Sequence, residues 1–406
     1  MPDSRTDEAI ALMMSFAERT GLSSELPRQR YLWTDGFAVC NFLGLVRVTG
    51  EQQYAELALR LVDQVHHALG RHRSDDPRSG WISGLSEDEG EAHPTRGGLR
   101  IGKKHPERGP NAPFDERLEW DRDGQYFHYL TKWMHALDQM TRATGRPQFN
   151  VWARELAETS HEAFTYQPSA AHPRRMYWKM SIDLSRPLVT SMGHHDPLDG
   201  YITYLQLRST AAGLPESVAE PDLGDAINQS AEMIKGGEWA TADPLGLGGL
   251  LMDTYRVEQM MREGFLQNDD LLETLLAASL AGLQHFAQSR ELSRPAEYRL
   301  AFRELGLAIG LHAVTRMWKA AEGEAETSTQ DSGVGARLQA LMQYASLRDE
   351  IESFWRDPQH RRTRTWSEHQ DINDVMLATS LVPEGFLILL SPGPQEKRRS
   401  NQRVGK

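Results

Sequence analysis

Apolar positions along this chain recur every three or four residues almost throughout, which is the period of an α-helix. Two stretches repeat that pattern in register. One runs through WTDGFAVCNFLGLVRVTG to Gly50, the other through DGQYFHYLTKWMHALDQMTRATG to Gly145. Gly50 is followed by Tyr54, Leu57, Ala58 and Leu61, and Gly145 by Phe149, Trp152, Ala153 and Leu156, at identical offsets. The offsets put an apolar stripe on one helical face. The repeating unit is therefore helix, Thr-Gly turn, helix. Asp-Gly marks the approach to three of the first helices, at Asp35-Gly36, Asp123-Gly124 and Asp199-Gly200. An acidic residue suits a helix N-terminus, and the later Gly50, Gly145 and Gly213 suit the C-terminal stop.

Looser pairs follow at 199–213 with 222–235, 247–263 with 268–289, and 296–321 with 335–349. Helices near 6–20 and 371–380 form a sixth pair between the chain ends. Units repeated on this scale bury their faces against their neighbours. The first helix of each pair is apolar almost all round (FAVCNFLGLV, YFHYLTKWMHAL, LGLGGLLM), as an inner ring requires. The second, such as EQQYAELALRLVDQVHHAL, is amphipathic, as an outer ring with one wet face requires. The expected fold is all-α, a closed toroid of about twelve helices in about six hairpins. Residues 1–390 are expected to form one toroid domain, and 391–406 a basic flexible tail.

On this architecture the chain resembles the six-hairpin (α/α)6 toroids. These include N-acylglucosamine 2-epimerase-like proteins and many glycoside hydrolases and polysaccharide lyases. The likeness covers nearly the whole chain and rests on architecture, not on a signature motif. It implies an enzyme acting on a carbohydrate. In the epimerase-like proteins, paired histidines on late helices carry the chemistry. His312 is the late-helix histidine here, and no second one matches it.

The connections between hairpins are unequal. Residues 70–122 form an insertion rich in Gly, Pro, Arg and acidic residues, with Trp81, Ile82, Leu85, Leu99, Ile101 and Trp120 to fold it back. Its length in a compact domain points to function, and a β-hairpin lid is expected. Segment 168–198 alternates enough for a short strand pair, and 353–370 is a third long connection. All three join an outer helix to the next inner one, so a toroid gathers them on one rim.

Composition narrows the class. The net charge is −12, and basic residues are scattered until the last ten positions, which argues against nucleic acid as a partner. No apolar run approaches the roughly 20 residues a membrane span needs. The N-terminus lacks the basic start and apolar core of a signal peptide. Cys40 is the sole cysteine, so no intrachain disulfide forms and a cytoplasmic setting is expected. Its apolar surroundings mark it as a small buried hydrophobe. Phosphate-loop, dinucleotide and GxSxG motifs are missing, which argues against nucleotide-dependent and serine-hydrolase chemistry. No cofactor is expected. The expected partner is a small, sugar-like substrate, and a homo-oligomer is left open.

The densest polar cluster is SMGHHDPLDGYITY, with His194, His195, Asp196 and Asp199. Asp196-Pro197 reads as the start of a turn and Asp199 as a helix cap. A His and a carboxylate at a cavity rim also make general acid/base groups. The His-His-x-x-x-Asp spacing is not an established metal site, so no metal is expected. Asp35 stands beside Arg30, Tyr31 and Trp33, the aromatic and basic company of a sugar site. Glu119, Asp121 and Asp123 surround Trp120, and crowded carboxylates can separate an acid from a base.

The catalytic candidates are thus Asp35, Asp199, His195, Glu119 and Asp121. Asp123 reads as a cap. The substrate-binding candidates are Arg30, Trp33, Trp81, Tyr126, His128, Trp178, His194, Trp239, His312 and Trp366. Hydrolysis of a glycosidic bond by paired carboxylates in a central cavity is the most concrete expectation. The rivals are a sugar epimerase or isomerase using histidine, a toroid acting on a non-sugar molecule such as a terpenoid, and a non-catalytic helical scaffold.

Overall fold

In the computed structural model, residues 4–169, 172–215, 218, 221–325 and 333–389 are described. The expected tail, 391–406, lies outside them. Helix α1 (Ser4–Arg19) precedes a first hairpin of α2 (Leu32–Thr49) and α3 (Gln53–Leu69). The long insertion carries α4 (Glu87–Ala92) and α5 (Glu116–Asp121), then strand β1 (Gln125–Tyr126). Helices α6 (Phe127–Thr144) and α7 (Gln148–Phe164) form the second hairpin. Four short strands follow: β2 (Thr165–Tyr166), β3 (Arg175–Met176), β4 (Lys179–Met180) and β5 (Pro187–Val189). Helix α8 (Asp196–Ala211) pairs with α9 (Gly224–Ile234), and α10 (Pro244–Arg262) with α11 (Asp269–Ser289). Helix α12 (Ala301–Ala325) pairs with α13 (Gly333–Met342) and α14 (Ser346–Arg356). After α15 (Arg364–Ser367), α16 (Gln370–Leu381) packs on α1, and α17 (Glu384–Leu387) follows.

Helices α2, α6, α8, α10, α12 and α16 touch one another in turn, and α16 returns to α2. The ring is closed, with the two ends of the chain supplying its sixth hairpin. The fold is an all-α (α/α)6 toroid. Burial follows the hydrophobic pattern: α2 is buried from Leu32 through Leu45 and α8 from Asp196 through Leu207, while α3 buries only the face bearing Tyr54, Leu57, Ala58, Leu61, Val62 and Val65. Each large apolar side chain so buried contributes about 1.5–3 kcal/mol. Cys40 is wholly buried on α2, and its surroundings push its thiol pKa up. Inner helices α10 and α12 approach very closely. A Cβ on Gly248 would stand 2.2 Å from the Gly306 carbonyl oxygen, so only glycine permits that contact.

The Thr-Gly stops are present at two of the three places. Gly50 and Gly145 take φ of 76° and 67°, and their N–H groups donate to the Val46 and Thr141 carbonyls at 2.8 Å. The third differs: α8 ends at Ala211, and Ala212 caps it in right-handed geometry. The three Asp-Gly corners are not equivalent either. Asp35 and Asp199 are each the fourth residue of their helices. Asp123 caps no helix. It is buried upstream of β1, where Arg100 and Arg73 donate to it at 2.6 and 3.2 Å and the Gly102 N–H at 3.0 Å.

The insertion forms no β-hairpin. Its charged residues tie it down instead: Arg71 to Glu87 at 2.6 Å, and Arg78 to Asp183 of the following connection at 2.5 Å. The second connection does form strands. β4 pairs antiparallel with β5 and with β1, and β2 pairs with β3. Among the described residues, no helix is long and apolar enough to cross a membrane.

The far end of the ring is plugged by the segment around α17. Gly385 lies so close to α2 that a Cβ there would come within 2.0 Å of the Cys40 carbonyl oxygen. Phe386 stacks on Phe37 with centroids 4.2 Å apart. Gln139 donates to the Gly385 and Ile388 carbonyls at 2.8 and 2.7 Å, and Gln259 to that of Leu387 at 3.0 Å. The plug thus touches α2, α6 and α10 at the end of the ring opposite the rim where the inner helices begin.

Candidate active site at the toroid mouth

Charged residues interrupt the apolar inner helices at the level just inside that rim. Lys132 on α6 donates to Asp199 at 2.8 Å, and Thr131 also donates to it. Arg256 on α10 reaches the other Asp199 oxygen at 2.7 Å, and bonds Asp253 one turn earlier on its own helix. It further donates to Thr203 at 3.0 Å. Burial alone would raise the Asp199 pKa, but Lys132 and Arg256 outweigh it and hold the carboxylate well below its ordinary range. Asp253 moves the other way, raised by burial against the pull of Arg256. One turn above Asp253 on the same helix stands Gly249. A Cβ added there would meet no atom, so the lumen is open beside this cluster.

One turn before Asp199 sits Asp196. It is buried, and its pKa is pushed up to about 7 by burial and by the Asp199 charge, with Lys132 opposing. Its Oδ2 has no hydrogen-bond partner. Across from it, His128 Nδ1 stands 3.8 Å from Asp196 Oδ1 and also lacks a partner. Burial and Lys132 depress the His128 pKa to about 4, so the ring is neutral near pH 7. Buried polar atoms left unpaired cost stability, and in native proteins such groups call for a reason.

Aromatic rings wall this corner. Tyr126 lies 5.3 Å from the His128 ring and 5.5 Å from Trp178, and Trp178 stacks toward His128 at 6.3 Å. Tyr129 packs against Tyr126, and its hydroxyl meets that of Tyr31 at 2.6 Å. On the α8–α10 side, His195 Nε2 bonds the Trp239 carbonyl at 2.8 Å, and His194 that of Glu238 at 2.6 Å. The His194 ring stacks toward Trp239. Burial lowers the His195 pKa.

The structure therefore gathers Tyr126, His128, Trp178, Asp199, His195, His194 and Trp239 around one part of the mouth. The other sequence candidates lie elsewhere. Asp35 is buried at the start of α2, where it accepts the Tyr31 N–H at 2.9 Å and pairs with Arg30 at 3.4 Å. Arg30 also bonds the Thr20 carbonyl, and Trp33 is core, packed on Phe37. Glu119 is buried under the rim between Lys179 (3.0 Å) and Arg108 (2.9 Å), and Asp121 is exposed. Trp81 lies over α3, stacked on Arg71 and near His67. His312 faces outward to Glu352 of α14 at 2.9 Å. Trp366 packs on Trp355 between α14 and α16. Apart from the exposed Asp121, a neighbouring charge or ring claims each of these side chains.

Lys132, Asp253 and Arg256 are not among the sequence candidates, and by sequence Asp196 marks the start of a turn. A signal was present. Each of the first three is a charge inside an otherwise apolar inner helix (TKWMH, LLMDTYRVE), where an ion survives only with a partner.

No protein-family model matches the chain, and no curated protein matches it. Solved structures do. The GH76 alpha-mannanase of Bacteroides thetaiotaomicron superposes with a TM-score of 0.52 at 8% identity, over 94% of this chain and 96% of that one. The likeness is one of fold. Two epimerases align more loosely: the cellobiose 2-epimerase of Spirochaeta thermophila (TM-score 0.47, 10% identity, 94% of this chain and 100% of that one) and a sugar epimerase from a ruminal bacterium (0.42, 11%, 79% and 77%).

Proposed function

We propose that the protein is a carbohydrate-active enzyme that hydrolyses a glycosidic bond at the mouth of the toroid. One observation carries the reading. Asp196 and Asp199, one turn apart on α8, have their protonation pulled in opposite directions. Two carboxyls so separated are the acid/base arrangement that glycoside hydrolysis uses. Asp196, with a pKa of about 7 and a free oxygen, is the proton donor to the leaving oxygen. Asp199 stays ionised and faces the positive charge that develops on the sugar. Asp253, its pKa raised, is the carboxylate suited to take a proton from water. Trp178, half-buried at the mouth, offers a flat face to the sugar ring, with the buried Tyr126 packed behind it, and the fold is like that of the GH76 alpha-mannanase.

The test is a screen of mannosides, glucosides and their oligosaccharides with product analysis. Release of reducing sugar is expected, with kcat/KM falling above about pH 7 as Asp196 loses its proton. Conversion of a sugar into its epimer without cleavage would refute hydrolysis and favour the histidine-based rival.

A further inference from the structure

Trp120 is 47% exposed, and Phe114 and Leu118 beside it are 57% and 50% exposed. A tryptophan so placed forgoes the burial that normally stabilises it. It is nonetheless held rigidly. Its neighbour Glu119 is buried and accepts from Lys179 Nζ at 3.0 Å, while the same ammonium group donates to the Glu119 and Arg122 carbonyls at 2.7 and 2.8 Å. Lys179 opens β4 directly after Trp178, and the Trp178 N–H donates to the Val189 carbonyl at 3.2 Å. The buried Glu119–Lys179 pair thus clamps α5 onto the small sheet, and it sets the Trp120 and Trp178 rings edge to face, 5.0 Å apart.

These rings do not stand alone. From Trp120 the path passes to Trp178 and then to His128 at 6.3 Å, and so reaches Asp196, with the buried Tyr126 packed behind Trp178 at 5.5 Å. An aromatic track leads from open solvent on the rim into the corner of the proposed acid. A single sugar bound at Asp196 would use only its inner end. A chain of sugars long enough to leave the lumen would also meet Trp178 and Trp120.

Resting on the hydrolase reading, we propose that the substrate is an oligosaccharide, and that Trp120 and Trp178 form an outer subsite for a sugar beyond the bond that is cut. The buried Glu119 and Lys179 are its positioning residues. They explain why the insertion spends an ion pair beneath the rim.

The test compares kcat/KM on manno- and cello-oligosaccharides of two to six units for the unmutated protein, Trp120→Ala and Phe265→Ala. Phe265 is a similarly exposed aromatic at the opposite end of the ring. The unmutated protein is expected to prefer six units to two. Trp120→Ala should cut that preference about tenfold, mainly through KM, which corresponds to about 1.4 kcal/mol of stacking. Phe265→Ala should leave it unchanged. A preference that Trp120→Ala does not alter, or none to begin with, overturns the inference while leaving hydrolysis standing. So does a Trp120→Ala protein whose only change is its oligomeric state by light scattering, which would make the rings a protein contact. If nothing is cleaved, the hydrolase reading fails separately. Tryptophan fluorescence with mannohexaose and cellohexaose then decides: quenching lost in Trp120→Ala supports the subsite, and equal quenching, or none, overturns it.

Discussion

Two corners of the mouth begin alike. At the start of α2 and of α8 an aspartate occupies the fourth helical position, followed by glycine. Both are buried, yet their surroundings part company. Asp35 finds a backbone N–H and Arg30 and is satisfied where it stands; burial raises its pKa to about 6, with Arg30 and that N–H opposing. Asp199 is ionised between Lys132 and Arg256, and its charge raises the pKa of Asp196 one turn away. At the α2 corner the carboxylate itself is satisfied, although Arg30 Nε and Thr34 Oγ1 lack partners; at the α8 corner the unpartnered atoms are Asp196 Oδ2 and His128 Nδ1, the acid and the ring that faces it. The same residue at the same helical position ties down the first turn of a helix in one place and sets up an acid in the other. The difference lies in which cations the neighbouring inner helices bring.

Substitutions can break that contrast. Asp196→Asn should lower kcat by about 10²–10⁴-fold, the usual worth of a general acid, whereas Asp35→Asn should leave turnover within about twofold; comparable losses in both would erase the distinction. Asp199→Asn strips the shared partner from Lys132 and Arg256. It should cost about 3 kcal/mol in urea unfolding, because buried cations are left uncompensated.

Asp196→Asn should also stabilise the protein at alkaline pH. The folded pKa of about 7 lies above the unfolded value near 4. Between the two, the native state holds a proton that the unfolded state has released, so stability contributed below pH 4 is lost as pH rises through 7. The substitution should therefore gain up to about 4 kcal/mol at pH 8 and little at pH 4. Thermal unfolding at both pH values checks it, and a gain that does not depend on pH would contradict the raised pKa. The last effect, at the α2 corner, is on stability alone. Asp35→Asn should cost up to about 3 kcal/mol, because the buried Arg30 loses its countercharge even though asparagine can still accept the Tyr31 N–H.

How far the chain could be read before folding differs by scale. The 3.6-residue period, the Thr-Gly stops at Gly50 and Gly145 and the all-round apolar character of alternate helices were enough to define the toroid, including the pairing of α1 with α16 across the whole chain. They sufficed because helices apolar all round are buried only when the stacked hairpins close around them. Local chemistry was less legible. Asp123 looked like a helix cap and is held by Arg100 and Arg73 from the insertion. His312 looked like a lumen histidine and faces Glu352. The insertion had the apolar content of a hairpin and is instead tied down by arginines.

What the sequence determined by itself is periodicity, and periodicity dictates which face of each helix is buried. What only the tertiary structure decided is which charges meet. Lys132, Asp199 and Arg256 stand on three different helices, and Trp120 and Trp178 on two connections. Electrostatic energy depends on distances of a few ångströms across the ring, and spacing along the chain does not contain them.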